Sequence, residues 1–110
     1  MDGKKVIISL LFLTISAALI MLFWEQPILL ILGLIFVAYG KHLVLPIEKE
    51  LTWFIIIGFL GAMFENIIIY SGAWYYPQVF FIHIPLWLPF VWGVAGTTGV
   101  SFYKGIVEKV

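Results

Sequence analysis

A carboxylate and an amide, Glu65 and Asn66, stand side by side in the otherwise apolar stretch GAMFENIIIY, residues 61–70. A charged side chain at membrane depth costs about 2.5–3.5 kcal/mol on insertion scales, so such residues usually face protein and mark functional sites. Burial disfavours the charged form of a carboxyl group, and a neutral acid can donate a proton. We therefore predict that Glu65 is a proton donor, with a purely structural hydrogen bond as the alternative.

Two further side chains could act with Glu65. Asn66 lies about 100° further round a helix, where it can orient a group by a hydrogen bond, although bonding a neighbouring helix is its commoner role. His83 precedes the next apolar run and is either a proton partner of Glu65 or an ordinary interfacial histidine. His42, beside Lys41, is predicted to be solvated. With no cysteine in the chain and no ligand spacing, we predict no metal site and no cofactor.

The composition indicates an integral membrane protein that positions these residues on helices. Of its 110 residues, 64% are hydrophobic and 11% are charged, against about 45–50% and about 25% in soluble domains. The mean hydropathy is +1.14. A helix crosses the hydrocarbon with about 17–25 residues. We predict an all-α fold with four transmembrane helices, at about residues 6–24, 27–45, 51–70 and 84–103, forming one domain over residues 1–110.

The second predicted span has an uncertain end. Its purely apolar part stops before Gly40, but the helix can extend to Leu45 if Lys41 snorkels towards the interface. Beyond it, Glu48, Lys49 and Glu50 are predicted to form a solvated turn, with an acid favouring the start of the third helix.

The lysines predict the orientation of the spans. All six basic residues are lysines, and they lie before the first span, between the second and third, and after the fourth. The other two connections contain none. By the positive-inside rule, both termini are cytoplasmic, as expected for a multi-pass protein of a prokaryotic cytoplasmic membrane.

Small residues form two stripes that allow helices to approach closely. Gly58, Gly61 and Ala62 precede Glu65 on its own helix face, and the second stripe consists of Gly93, Gly96 and Thr97. Such small-xxx-small patterns are typical of packed transmembrane helices. We predict that the stripes pack the third and fourth spans together, or bind a partner in a homo- or hetero-oligomer.

Prolines and tryptophans characterise the start of the fourth span. Pro85 is tolerated in a first helical turn, whereas Pro89, deeper in the predicted span, should bend the helix. Backbone carbonyls that lose their helical hydrogen bond at membrane depth need a donor from protein or water. We therefore predict an irregular, hydrated region beside Glu65, with Trp87 and Trp92 lining a pocket.

The order of motifs over residues 61–96 is similar to that of a known group of membrane proteins. Glu65 is followed by Gly72-Ala73-Trp74-Tyr75-Tyr76, then by Ile84-Pro85-Leu86-Trp87, and then by Trp92. This order resembles the lycopene-cyclase-domain proteins and the carotenoid hydratase-like proteins. The resemblance implies an intramembrane acid that protonates an isoprenoid alkene, with aromatic faces stabilising the cation. Glu65 would be the acid, and Trp74, Trp87 and Trp92 would contact the substrate.

Three functions follow as hypotheses. The first is acid-catalysed chemistry on, or binding of, an isoprenoid or other apolar lipid, by a cyclase, isomerase or hydratase. The second is a non-catalytic accessory or assembly subunit. The third is a small proton-coupled multidrug-type transporter acting as a dimer. Nucleic acid is not an expected partner, because no basic patch with interleaved aromatic residues is present.

Overall fold

The computed structural model describes residues 1–77, 79 and 83–109. In this part the chain forms four α-helices, α1 (Gly3–Phe23), α2 (Pro27–Val44), α3 (Glu50–Ile69) and α4 (Leu88–Val107). The predicted all-helical class is confirmed. Among the described residues, α1, α2 and α3 are long and apolar enough to cross a membrane, and α4 is not one of this group.

The bounds of the first three helices lie within three residues of the predicted ones. Asp2 caps α1, because its side chain accepts hydrogen bonds from the backbone N–H groups of Lys4 and Lys5 at 3.2 and 3.4 Å. Pro27 occupies the first turn of α2, where its missing N–H has no helical partner to lose. The helix continues through Lys41 to Val44, so the longer form of the second span is the one observed.

The predicted bounds of the fourth helix, 84–103, are wrong by four residues at each end. Residues 84–87 precede the helix, and the N–H of Leu88 donates to the carbonyl of Pro85 at 3.2 Å in a turn. Pro89 therefore lies in the first helical turn, where proline fits without loss of a hydrogen bond. The bend predicted at Pro89 deep within the span is wrong for this reason.

Helix α4 is the centre of the bundle. It packs against α3 most extensively, then against α1 and α2, whereas the described helices α2 and α3 do not pack against each other along their lengths. Buried residues of α4 are small or hydroxylated, among them Gly93, Thr97, Thr98, Ser101 and Gly105. The outer helices turn large apolar side chains outwards, such as Met21 at 78% and Phe36 at 75% exposure. This central position explains why α4 is the least apolar of the four.

The lysine segments meet at one end of the bundle, which we call the lysine-rich end. The N–H of Asp2, before α1, donates to the carbonyl of Gly105 near the end of α4 at 2.7 Å. Lys5 Nζ lies 2.6 Å from Glu108 Oε2. Ser101 of α4 donates to the carbonyl of Leu45, just after α2, at 3.4 Å.

Candidate functional site

Glu65 forms a cluster with Tyr76 and Trp92, which we call the Glu65 cluster. Tyr76 Oη donates to Glu65 Oε1 at 2.5 Å, and Trp92 Nε1–H donates to Glu65 Oε2. Each oxygen of the Glu65 carboxyl group thus accepts one hydrogen bond. The cluster ties α3 to α4 and to the connection between them.

Tyr76 is held as a donor by its surroundings. Burial raises the pKa of its phenol, and the hydrogen bond to Glu65 and the nearby negative charge raise it further. Its ring packs edge to face on Trp87, with ring centres 5.8 Å apart. Trp87 Nε1–H donates in turn to the carbonyl of Trp24, between α1 and α2, at 3.2 Å. Trp87 therefore anchors the connection to the first hairpin and does not bond Glu65.

Asn66 and His83 meet through a backbone group. The buried Asn66 accepts a hydrogen bond on Oδ1 from the backbone N–H of His83 at 3.2 Å. The His83 ring is exposed and packs edge to face on Tyr70 at 4.7 Å. Trp74, proposed as a substrate contact, is 40% exposed. Asn66 thus holds the connecting segment against α3, and the role of His83 as a proton partner stays a prediction.

Both small-residue stripes lie in the contact between α3 and α4 of the same chain. A Cβ atom on Gly58 would lie 2.6 Å from the carbonyl oxygen of Pro89, and one on Gly61 would overlap the ring of Trp92. A Cβ atom on Gly96 would likewise overlap Ile57. The other members, Ala62, Gly93 and Thr97, are buried. Gly61 makes the room that lets the Trp92 indole reach Glu65.

A second polar cluster lies at the lysine-rich end and consists of Lys41, His42, Ile47 and Glu50; we call it the Glu50 cluster. Lys41, 0% exposed, lies with Nζ 2.8 Å from Glu50 Oε2, and the Glu50 side chain is 8% exposed. His42 Nδ1 lies 2.8 Å from Glu50 Oε1, which also accepts the backbone N–H of Ile47 at 3.2 Å.

The Glu50 cluster contradicts two predictions from the sequence. Glu50 is not part of a solvated turn, and Lys41 does not snorkel into water, because each neutralises the other in the protein interior. His42 is 50% exposed, but it is hydrogen-bonded rather than only solvated. Lys49, with a left-handed φ of 55°, reverses the chain so that Glu50 points back at the end of α2. The sequence signal was a lone lysine inside an apolar helix with an acid shortly after it.

A groove opens between α2 and α3, and we call it the α2–α3 groove. Its cavity of about 550 Å³ is lined mainly by apolar and aromatic side chains of these helices, with Phe90 and Thr97 of α4 as its floor. Glu50 and His42 line it at the lysine-rich end. A further cavity of about 230 Å³ shares Phe54, Ile55 and Phe90 with it and continues to Pro89.

The groove is elongated and separate from the Glu65 cluster. Together with the further cavity, its lining along α3 runs from Glu50 to Phe59, which corresponds to about 14 Å at a rise of 1.5 Å per residue. Glu65 lies about 9 Å further along the same axis. Among the described residues, no group of three or more histidine, aspartate or glutamate side chains could hold a metal ion.

No protein-family model, curated protein or solved structure matches this chain. The resemblance to carotenoid-related proteins therefore stays a prediction. The function has to be inferred from the groove and the two clusters themselves.

Proposed function

We propose that this chain is a multi-pass integral membrane protein that binds an elongated apolar molecule, with an isoprenoid as the best fit, in the α2–α3 groove. The observation that carries the proposal is the groove, whose cavity of about 550 Å³ falls in the range of roughly 300–1,000 Å³ typical of ligand sites. Exposed apolar residues of α2 and α3, such as Ile35 and Ile55, form its edges. A molecule dissolved in the hydrocarbon could therefore enter from the side.

The orientation in the membrane is part of this proposal. We place α4 across the membrane as a fourth span and the lysine-rich end in the cytoplasm. That end carries all six lysines of the chain, and the opposite end carries none. This asymmetry supports the positive-inside orientation, and enclosure by the other helices accounts for the polar residues of α4.

Binding is better supported than acid catalysis by Glu65. Both oxygens of the Glu65 carboxyl group are already hydrogen-bonded to Tyr76 and Trp92, and Glu65 does not line the α2–α3 groove. We propose instead that the Glu65 cluster fixes α4 against α3 and so maintains the floor of the groove.

The accessory-subunit hypothesis also has less support. Its docking faces were to be the glycine stripes, and Gly58 and Gly61 already contact α4 of the same chain. A homo- or hetero-oligomer would have to use another face of the bundle.

Ligand binding can be tested with phytene, a C20 isoprenoid hydrocarbon, by native mass spectrometry of the protein released from detergent micelles. Ala38 lines the groove, so Ala38→Phe should place an aromatic ring in it and strongly reduce the phytene-bound peak. Ala18, exposed on α1, provides the control, and Ala18→Phe should bind as the wild type does. Absence of a phytene complex with the wild-type protein, or equal binding by both variants, would disprove the proposal.

A further inference from the structure

We infer that His42, held by Glu50, is the head-group site of the α2–α3 groove and selects an apolar molecule that carries a terminal hydroxyl group. The inference rests on the proposed function and adds the polar half of the ligand. Its basis is the position of both side chains in the groove wall at the lysine-rich end, beyond the apolar surface that would hold the chain of the ligand.

The hydrogen bond between His42 and Glu50 defines which nitrogen is free. Lys41 pairs with Glu50 at 2.8 Å, and a carboxylate in an ion pair accepts hydrogen bonds but cannot donate them. Nδ1 of His42, at 2.8 Å from Glu50 Oε1, must therefore carry the proton. In the neutral form of the ring, the other nitrogen, Nε2, is then an acceptor. Because half of the His42 side chain is exposed, a ligand can reach this ring.

The charges around His42 disfavour a cationic head group, and the acceptor Nε2 favours a hydrogen-bond donor over an anion. The negative charge of Glu50 is neutralised by Lys41, and Lys104 of α4 also acts on Lys41 electrostatically. An ammonium group would be repelled by these two lysines, and Glu50 is already paired and could not neutralise it. A phosphate or carboxylate group would be an acceptor facing the acceptor Nε2. A hydroxyl group donates its proton to Nε2 and carries no charge into the membrane interface.

The hydroxyl oxygen can also be satisfied at this end of the groove. Tyr39 lines the groove one helical turn before His42, and residues three apart share a helix face. Its phenol can donate or accept a hydrogen bond. An alcohol in this position would thus have both a protein acceptor and a protein donor within the same part of α2.

The test compares three ligands with the same C20 chain, namely phytol, its methyl ether and phytene, by native mass spectrometry. One hydrogen bond to Nε2 should make phytol bind about fivefold to tenfold more tightly than the other two. The methyl ether can accept but cannot donate, so it isolates the predicted direction of the bond. Equal affinity of phytol and its ether for the wild-type protein would overturn the inference.

Variants of the two histidines provide the matched comparison. His42→Phe keeps a planar ring and removes the acceptor, so phytol and its methyl ether should bind this variant with equal affinity. His83→Phe changes the exposed histidine near Tyr70 and should keep the preference. If His42→Phe still prefers phytol, His42 is not the head-group site. If the wild-type protein does not bind phytene at all, the proposed function is contradicted. Failure of the head-group inference and failure of the proposed function are therefore distinguishable.

Discussion

The two glutamates of α3 show how differently one helix can hold the same side chain. Glu50 and Glu65 are 15 residues apart, or about 22 Å along the axis. Glu50 lies next to a turn yet is only 8% exposed and is paired with a buried lysine. Glu65 lies among apolar residues yet is only half-buried and accepts from two neutral donors. Apolar neighbours in sequence therefore do not indicate which acid is the more deeply enclosed.

The largest expected loss of stability comes from replacing Lys41, the cation of the Glu50 cluster. Lys41→Met leaves Glu50 buried without its counter-charge, and breaking a buried ion pair in this way costs about 3–5 kcal/mol. The midpoint of thermal unfolding in detergent micelles should fall accordingly. The double variant Lys41→Met/Glu50→Gln should recover much of the loss. A single variant as stable as the wild type would show that the pair contributes nothing to the fold.

Gly58, on α3 between the two glutamates, tests the packing of α3 against α4 on which both clusters depend. A Cβ atom on Gly58 would meet the Pro89 carbonyl, a backbone atom that cannot rotate away, so Gly58→Ala should destabilise the protein by about 1–3 kcal/mol. In α4, a Cβ atom added to Gly99 would meet no other atom within 4 Å. Gly99→Ala should therefore be neutral or stabilising by up to about 1 kcal/mol. Thermal unfolding of the two variants side by side checks the contrast, and equal shifts would contradict it.

Removing the charge of Glu65 should have a smaller effect than unpairing Glu50. Glu65→Gln keeps one acceptor oxygen and turns an amide donor towards either Tyr76 or Trp92, at a cost of about 1–3 kcal/mol. The indole N–H resonance of Trp92, assigned by its loss in Trp92→Phe, should shift in an NMR spectrum. Phytene binding should persist in Glu65→Gln. Loss of binding in a folded variant would place Glu65 in the ligand site.

The smallest effect concerns pH and the phenol of Tyr76 in the Glu65 cluster. An unperturbed tyrosine titrates near pH 10, roughly, and the pKa of Tyr76 is raised. Its neutral form is therefore favoured by folding, so its contribution to stability is present below about pH 10 and is lost as the pH rises further. Among the five tyrosines, one should form phenolate late in an ultraviolet titration, and Tyr76→Phe should remove that component. Unchanged late absorbance in the variant would contradict the assignment.

The comparison also explains how far the sequence could predict the molecule. Apolar length and lysine distribution predicted four helices and the first three sets of bounds, because these depend on local composition. The start of α4 was misplaced because Pro85 and Pro89 admit two positions for a first turn, and only the packing against α3 selects one.

The polar sites were predicted less completely because their partners come from other elements. Glu65 was identified, but Tyr76, its hydrogen-bond donor, lies in an aromatic connection that also fits an interfacial belt. The Glu50 cluster was missed because Lys41 and Glu50 belong to different helices and meet only through the left-handed turn at Lys49. The contact between Asn66 and the backbone of His83 depends on chain path and not on residue type.

The enclosed position of α4 has a consequence for how the protein is made. Three helices of high hydropathy are synthesised first, and α4, with its glycines and hydroxyl groups, follows them from the ribosome. If α4 is the fourth span that we propose, this segment, which partitions weakly into lipid by itself, should leave the translocon by docking onto α1 and α3. Membrane integration of α4 would then depend on its packing against α1 and α3. A variant that disrupts this packing would first be detected as a failure of insertion.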